Sequence, residues 1–167
     1  MILYLLRHGS AQNEPSAGGG DGARRLTARG REKVRDAAFG MLALGLKCDA
    51  ILTSPLPRAA ETAELVAAAY SNGPALEPLA ALSTGVAPAD TLAALKSYDQ
   101  HSHLMIVGHE PGLSGIASLL LTGSANGLRF DLKKSGLIAL ELPDGIERGG
   151  AELRWMLTAR QLRRLRK

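Results

Sequence analysis

The sequence has one cysteine, Cys48, among its 167 residues, and it has no hydrophobic run long enough to cross a membrane. A single cysteine excludes an internal disulfide and is typical of a reducing compartment. A membrane-spanning helix needs about 20 mostly apolar residues. The apolar run at the N-terminus is only as long as a strand and follows no basic segment, so we expect no signal peptide. These absences predict a cytoplasmic protein with no membrane partner.

The chain also lacks an internal repeat and a linker that would divide it. Hydrophobic residues make up 46% and charged residues 22%, which is the composition of an ordinary globular protein. A chain of this length can bury a substantial core. We therefore expect one domain over residues 1–167.

Acidic residues are missing from the C-terminal segment 154–167, which is rich in arginine, whereas the rest of the chain has a small excess of acid. The basic character of the protein is therefore a property of this segment. A basic segment could attract nucleic acid or an acidic partner. No aromatic residue follows Trp155 to stack on bases. We interpret the segment as a solvated helix face and expect no nucleic-acid partner.

A strand-like apolar run, residues 3–6, ends abruptly in Arg7-His8-Gly9. Arginine presents a planar fork of donors that suits phosphate oxygens. A neutral histidine ring has a nitrogen that can act as a nucleophile near pH 7. Glycine permits a turn and a close approach of backbone to a ligand. On their own, these three residues also fit an ordinary turn after a strand.

Two further strand–helix junctions carry residues that suit phosphate. Residues 50–53 have the pattern of a short buried strand, and Arg58 falls in the first turn of the helix predicted after it. Residues 104–108 have a strong strand pattern, and His109 follows them just before another predicted helix. The carboxyl ends of parallel strands share one edge of a sheet, and helix N-termini attract anions. We therefore expect the three junctions to converge on one anion site.

Strand and helix patterns alternate along the whole chain. A helix is predicted after Thr27, which has the chemistry of an N-cap residue. Later strands are predicted near Phe130, at 138–140 and at 153–156, and a terminal helix is predicted over 157–165. This alternation predicts an α/β protein, a three-layer α/β/α sandwich with a mostly parallel central sheet.

Taken together, the motifs resemble the histidine phosphatase superfamily, and within it the SixA-type phosphohistidine phosphatases. Arg7-His8-Gly9 matches the signature of the superfamily. Residues 52–63 are similar to the segment that carries its second arginine, and residues 107–111 to the segment that carries its second histidine. The resemblance implies a phosphoglycerate mutase-like fold. Only 50 residues separate Arg58 from His109, so no large lid insertion is expected.

The resemblance also implies roles for individual residues. His8 would be the nucleophile that becomes phosphorylated. Arg7, Arg58 and His109 would bind the phosphate oxygens, and Arg24 lies where SixA-like chains can carry another basic contact. The resemblance implies that the reaction needs no metal and no cofactor. Such chemistry depends mostly on positioning and on electrostatic stabilisation of the transferred phosphoryl group.

The sequence departs from the superfamily at the residue that protonates the leaving group. Many members carry a glutamate in a segment that matches residues 79–85, where Ala81 stands near its place. An alkoxide leaves poorly without a proton. The leaving nitrogen of phosphohistidine can depart as neutral imidazole when the other ring nitrogen carries a proton. This difference favours phosphohistidine as substrate, while Glu14, Asp21 and Glu110 remain possible acids.

Three functions remain open at this stage. The first is a phosphatase that acts on phosphohistidine in a partner protein. The second is a broader phosphomonoesterase of the same superfamily. The third is a noncatalytic binder of a phosphorylated ligand or nucleic acid, which would need no nucleophile. The interval between Arg58 and His109 is too short for a large lid. It therefore predicts an open, shallow pocket that suits a side chain presented by a phosphorylated protein. The sequence leaves the oligomeric state open.

Other residues with possible chemistry receive simpler interpretations. Cys48 lacks an arginine six positions further on, the spacing of tyrosine-phosphatase loops, because a serine stands there. His101 and His103 lie in a polar stretch without nearby acidic or thiol clusters, so we expect surface histidines and no metal site. Lys133 and Lys134 could face an acidic substrate, but a solvated hairpin is the simpler interpretation.

Overall fold

The computed structural model describes residues 1–13, 20–71 and 73–166. Within these residues, six strands belong to one sheet: β1 Ile2–Arg7, β2 Ala50–Thr53, β3 Ala75–Pro78, β4 His103–Gly108, β5 Leu137–Glu141 and β6 Glu152–Leu157. The same ranges contain five α-helices: α1 Ala28–Ala43, α2 Pro57–Ala67, α3 Pro88–Leu95, α4 Gly112–Thr122 and α5 Ala159–Leu165. In these ranges, no helix has the length and hydropathy needed to cross a bilayer.

The sheet has the strand order β3-β2-β4-β1-β5-β6. The first four of these strands are parallel to one another, and β5 and β6 join as an antiparallel pair beyond β1. The central strands β1, β2 and β4 are almost entirely buried, as expected for a parallel sheet covered on both faces. The mostly parallel sheet predicted from the sequence is confirmed.

Helices cover both faces of the sheet. Alternate residues of β1 point to opposite sides: Leu3 and Leu5 pack with α3 and α4, whereas Tyr4 and Leu6 pack with α1, α2 and α5. Each face therefore has its own buried core. This arrangement is the predicted three-layer α/β/α sandwich, and no large insertion interrupts the described part of the chain between α2 and β4.

Side-chain hydrogen bonds cap the N-termini of α1 and α5. Thr27 accepts a hydrogen bond from the backbone N–H of Gly30 at 2.9 Å, as predicted for an N-cap residue. Thr158 and Gln161 form a capping box at α5, so this helix begins two residues later than the sequence pattern suggested.

The strand predicted near Phe130 is wrong. Phe130 lies in the irregular segment 123–136 between α4 and β5. It packs against the core on the α3–α4 face, and Leu132, two residues further on, is buried in that core. The side chains of Phe130 and Leu132 therefore pack on the core without belonging to the sheet. The edges of β5 are already paired with β1 and β6, so they offer no place for another strand.

The register of the parallel strands β1, β2 and β4 places the predicted site residues next to one another. Arg7 pairs with Gly108 across β1 and β4, and Thr53 pairs with Val107 across β2 and β4. The backbone N–H of His8 donates to the carbonyl of Gly108 at 3.1 Å, which continues the ladder by one residue. The residues that follow the three strands therefore lie side by side at one edge of the sheet.

A crevice opens at this edge because the chain leaves neighbouring strands toward opposite faces. After β1 it leads to α1 on one face, and after β4 it leads to α4 on the other. This is the topological switch point at which doubly wound sheets bind their ligands. The fold thus predicts a site between the ends of β1 and β4.

Gly40 gives a test of the packing between α1 and α5. A Cβ atom at this position would lie 1.9 Å from the carbonyl oxygen of Leu162, so α5 sits directly on the backbone of α1. We expect Gly40→Ala to lower the free energy of unfolding by about 1–3 kcal/mol, because overpacking outweighs the better helix propensity of alanine. Urea titration followed by circular dichroism measures this change.

The matched control is Gly112→Ala in α4, where no atom lies within 4 Å of the added carbon. This variant should keep or slightly raise the stability. A Gly40→Ala protein as stable as the control would contradict the close contact between the helices.

Candidate active site

The structure brings together the residues that the sequence assigned to the phosphate site. They lie around a cavity of about 310 Å³ at the carboxyl end of the parallel strands. Its lining contains all five predicted residues and five others: Arg7, His8, Ala11, Asp21, Arg24, Arg58, Thr84, His109, Glu110 and Lys134. Glu14, one of the possible acids, lies outside the described residues.

His8 has a defined tautomer. Its Nδ1 lies 2.7 Å from the carbonyl oxygen of Gly9, which can only accept a hydrogen bond. Nδ1 therefore carries the proton, and Nε2 of the neutral ring keeps its lone pair. Burial lowers the pKa of His8 to about 3, and the charges of Arg58 and Arg7 contribute in the same direction. A buried, neutral imidazole with a free Nε2 is a competent nucleophile near pH 7.

His109 faces His8, with the two ring centroids 5.0 Å apart. Its Nε2 lies 2.8 Å from Oγ of Ser54, which also accepts a hydrogen bond from the N–H of Leu56. The Ser54 hydroxyl can donate to Nε2, and in that tautomer the ring proton is on Nδ1. Nδ1 is buried and has no partner among the described residues. Burial, followed by the charge of Arg58, lowers the pKa of His109 to about 4.

Thr62 ties the turn after β1 to α2. The N–H of Gly9 donates to Oγ1 of Thr62 at 3.0 Å, and this hydroxyl donates to the carbonyl of Arg58 at 2.7 Å. A Cβ at Gly9 would lie 2.6 Å from a methyl group of Val34, so this turn needs glycine. Sequence reasoning missed Thr62, although it stands one helical turn after Arg58, inside the segment that carries the resemblance.

Asp21 bridges two of the predicted phosphate-binding arginines. Its carboxylate lies 3.1 Å from Nη2 of Arg58 and 2.7 Å from Nη2 of Arg24, and its carbonyl accepts from Nη1 of Arg58 at 2.9 Å. Slight desolvation raises the pKa of Asp21, but the two guanidinium groups outweigh it, so the pKa lies below its usual value. Asp21 is therefore a counter-ion of the arginines, and its ionised carboxylate cannot supply a proton to a leaving group.

Arg7 joins the site to the segment before β5. Its Nη1 donates to the carbonyl of Leu132 at 2.8 Å and lies 3.9 Å from the carboxylate of Asp131. The N–H of Ser135 donates back to the carbonyl of Arg7 at 3.0 Å. These contacts bring Lys134 to the rim of the phosphate cavity. Lys134 is exposed and stands in a turn, as the solvated interpretation expected, but segment 123–136 contains no strand, so the turn does not belong to a hairpin.

Glu110 is the possible acid that remains at the pocket within the described part of the chain. Its Oε2 accepts a hydrogen bond from the hydroxyl of Ser114 at 2.6 Å. Its Oε1 is buried without a hydrogen-bond partner in the described residues. Glu110 lines both the phosphate cavity and a neighbouring groove.

The neighbouring groove has a volume of about 600 Å³ and meets the phosphate cavity at Thr84, His109 and Glu110. Ala81 lines it, near the place of the glutamate that the chain lacks. Phe130 forms part of its other wall. This wall comes from the irregular segment between α4 and β5 that the sequence analysis assigned to a strand near Phe130.

The other chemically interesting residues lie away from this edge. His103 is the first residue of β4, whereas His109 follows its last residue, so the two stand at opposite ends of the strand. Cys48 precedes β2 at the far edge of the sheet, and burial together with Asp49 raises the pKa of its thiol to about 12. In the ranges that the structure describes, no three His, Cys, Asp or Glu residues are arranged to hold a metal ion.

Comparison with known proteins agrees with this arrangement. The model of the histidine phosphatase superfamily (branch 1) matches residues 3–85. An uncharacterised protein of Picosynechococcus sp. is 36% identical over 146 residues, which cover 84% of each chain. This chain belongs to the histidine phosphatase superfamily.

Solved structures share the fold over nearly the whole chain. The protein histidine phosphatase SixA, complexed with tungstate, superposes with a TM-score of 0.82 at 22% identity and covers 97% of this chain and 99% of its own. The α-ribazole phosphatase of Shigella flexneri gives 0.74 at 20% identity, covering 95% and 97%. The phosphoserine phosphatase of Entamoeba histolytica gives 0.69 at 18% identity, covering 96% and 98%. The fold is thus common to phosphatases named for different substrates.

The protonation state of His8 can be tested by nuclear magnetic resonance. Because its pKa is lowered to about 3, we expect the ring nitrogen shifts of His8 to stay those of the neutral Nδ1–H tautomer from neutral pH down to about pH 5. Free histidine in the same sample should titrate near pH 6.5. A His8→Gln variant assigns the resonances. A midpoint for His8 near that of free histidine would contradict the buried, neutral ring.

Proposed function

We propose that this protein is a phosphatase that hydrolyses phosphohistidine on proteins and that His8 carries the phosphoryl group in a covalent intermediate. The observation that supports this proposal most directly is the neutral ring of His8, whose Nδ1 is bound to the Gly9 carbonyl and whose Nε2 is left free. A site built only to bind an anion would gain from a protonated histidine. The lowered pKa removes that charge and leaves a nucleophile.

The charges of the cavity suit a phosphoryl group. Arg7, Arg24, Arg58 and Lys134 line it, against the carboxylates of Asp21 and Glu110. The buried Nε atoms of Arg7 and Arg58 and Nδ1 of His109 lack partners among the described residues. These donors would bind the equatorial oxygens as charge develops on them. The SixA relative was solved with tungstate, a tetrahedral oxyanion like phosphate.

The reaction has two displacements. In the first, Nε2 of His8 attacks phosphorus, the bond to the leaving nitrogen of the substrate breaks, and that nitrogen keeps the electron pair. The substrate histidine departs as neutral imidazole when its other ring nitrogen carries a proton. In the second, water attacks the phosphorus on His8, the N–P bond breaks, and inorganic phosphate is released. His8 returns to the neutral Nδ1–H tautomer, and the proton of the water passes to phosphate or solvent.

The leaving group decides between substrates. Asp21 is ionised and bound to two arginines, and Ala81 stands at the edge of the groove where many members of the superfamily carry a glutamate. A substrate whose leaving group needs little protonation by the enzyme therefore fits this site best. Phosphohistidine meets this condition, whereas an alkyl phosphate does not.

One observation favours a second candidate function, a phosphomonoesterase with a broader range of substrates. The groove of about 600 Å³ beside the phosphate cavity has room for a large leaving group, and Glu110 lies where the two meet. Fold relatives include an α-ribazole phosphatase and a phosphoserine phosphatase. If Glu110 donates a proton, the protein would also hydrolyse alkyl phosphates.

A substrate panel at neutral pH distinguishes these functions. We expect kcat/KM for a phosphohistidine protein to exceed that for phosphoserine peptides or sugar phosphates by at least about a hundredfold, the usual contribution of one general acid. Aryl phosphates should fall between them because their leaving groups are better. Initial rates of phosphate release measure all three classes.

Glu110→Gln is the informative variant for this panel, since it keeps the shape of the side chain and removes the acid. Phosphohistidine turnover should be little changed by it. Comparable rates on phosphohistidine and alkyl phosphates in the unaltered protein, with selective loss of alkyl phosphate hydrolysis in Glu110→Gln, would replace the first function by the second.

A further inference from the structure

A second basic hollow adjoins the phosphate cavity. It has a volume of about 400 Å³ and is formed where α1, α5, the turn after β1 and the segment before β5 meet. Its lining consists of Arg7, Ser10, Lys33, Asp131, Lys133, Lys134, Ser135, Ala159 and Arg163. Arg7 and Lys134 also line the phosphate cavity, so the two hollows share a wall.

The charge of this hollow is not balanced within the described part of the protein. Five cationic side chains line it, and Asp131 is the one acidic side chain among its lining residues. Asp131 is already engaged by Lys133 and lies 3.9 Å from Arg7. Lys33 and Arg163 have no ion-pair partner among the described residues, and Nε of Arg163 is buried without a hydrogen bond there. Like charges around one hollow repel one another, so an anion bound there would stabilise the arrangement.

The fold itself brings these cations together. Lys33 belongs to α1 and Arg163 to α5, and the close approach of α5 to Gly40 fixes one helix against the other. Lys134 is held in place by the bond from the Ser135 N–H to the Arg7 carbonyl. The hollow is therefore a concave site made by four segments. No aromatic side chain lines it, so it offers no surface on which a nucleic-acid base could stack.

We propose that this hollow binds a second anionic group of the substrate, a carboxylate or phosphate near the phosphoryl group that is transferred. The proposal rests on the proposed phosphate site at His8. When the phosphoryl group lies beside His8, Arg7 and Lys134 form the wall between it and the hollow. Lys33 and Arg163 line the hollow on the other side of that wall. For a phosphohistidine protein, this favours substrates with acidic or phosphorylated residues close to the phosphohistidine.

The test uses a variant that removes two charges from the hollow but none from the phosphate cavity, Lys33→Gln/Arg163→Gln. The matched control is Arg35→Gln/Arg160→Gln, which removes the same charges from the same two helices outside the hollow. Thermal melts establish that both proteins fold. Any effect of net charge alone is equal in the two variants, so a difference between them reports on the hollow.

Calorimetry of phosphonate binding gives a readout that does not depend on turnover. The probe is an alkane bisphosphonate long enough to place one phosphonate in the phosphate cavity and the other in the hollow. In the unaltered protein and the control, it should bind about tenfold more tightly than the monophosphonate, as one or two added charge-assisted contacts allow. In Lys33→Gln/Arg163→Gln this preference should disappear. An equal preference in all three proteins, or none in the unaltered protein, would overturn the proposal.

Peptides identify the source of the anion. Phosphohistidine peptides flanked by glutamate, by phosphoserine or by glutamine should differ in kcat/KM, with the better of the two anionic peptides about tenfold above the glutamine peptide. That preference should be lost in Lys33→Gln/Arg163→Gln only. If phosphohistidine peptides are not hydrolysed while aryl phosphate is, and the bisphosphonate preference holds, the proposed function fails and the second anion site stands.

Discussion

The parallel pairing of β1 with β4 is the constraint on which the site depends. Because Arg7 lies opposite Gly108, the next residues along each strand, His8 and His109, face one another with their ring centroids 5.0 Å apart. A slip of one residue would send these side chains to opposite faces of the sheet. The almost complete burial of β1 and β4 specifies this register, so the core of the protein also sets the geometry of its chemistry.

Burial and charge act together on the two histidines. In each case desolvation is the largest cause of the lowered pKa, and the nearby guanidinium groups add to it. The same guanidinium groups supply the field that a phosphoryl group needs. Hydrogen bonds to the Gly9 carbonyl and the Ser54 hydroxyl orient the two neutral rings. The site thus combines strong positive charge with two histidine rings that stay uncharged.

The sequence predicted the sheet, its layers and the convergence of Arg7, His8, Arg58 and His109, because strand ends and helix starts follow from local patterns. It did not predict contacts that depend on distant segments. Thr62, Ser54 and Lys134 reach the site through tertiary packing, and the turn of Lys134 is held by the end of β1. Phe130 was assigned to a strand, but it packs on the core from an irregular segment, and only the tertiary structure distinguishes these two environments.

The central claim is that Nε2 of His8 attacks phosphorus. Rapid mixing with a labelled phosphohistidine protein, followed by an alkaline quench that preserves phosphoramidates, tests it directly. Peptide mapping should place the label on His8, and His8→Ala should form no labelled enzyme and release no phosphate. Label on His109, or turnover that survives in His8→Ala, would contradict the account.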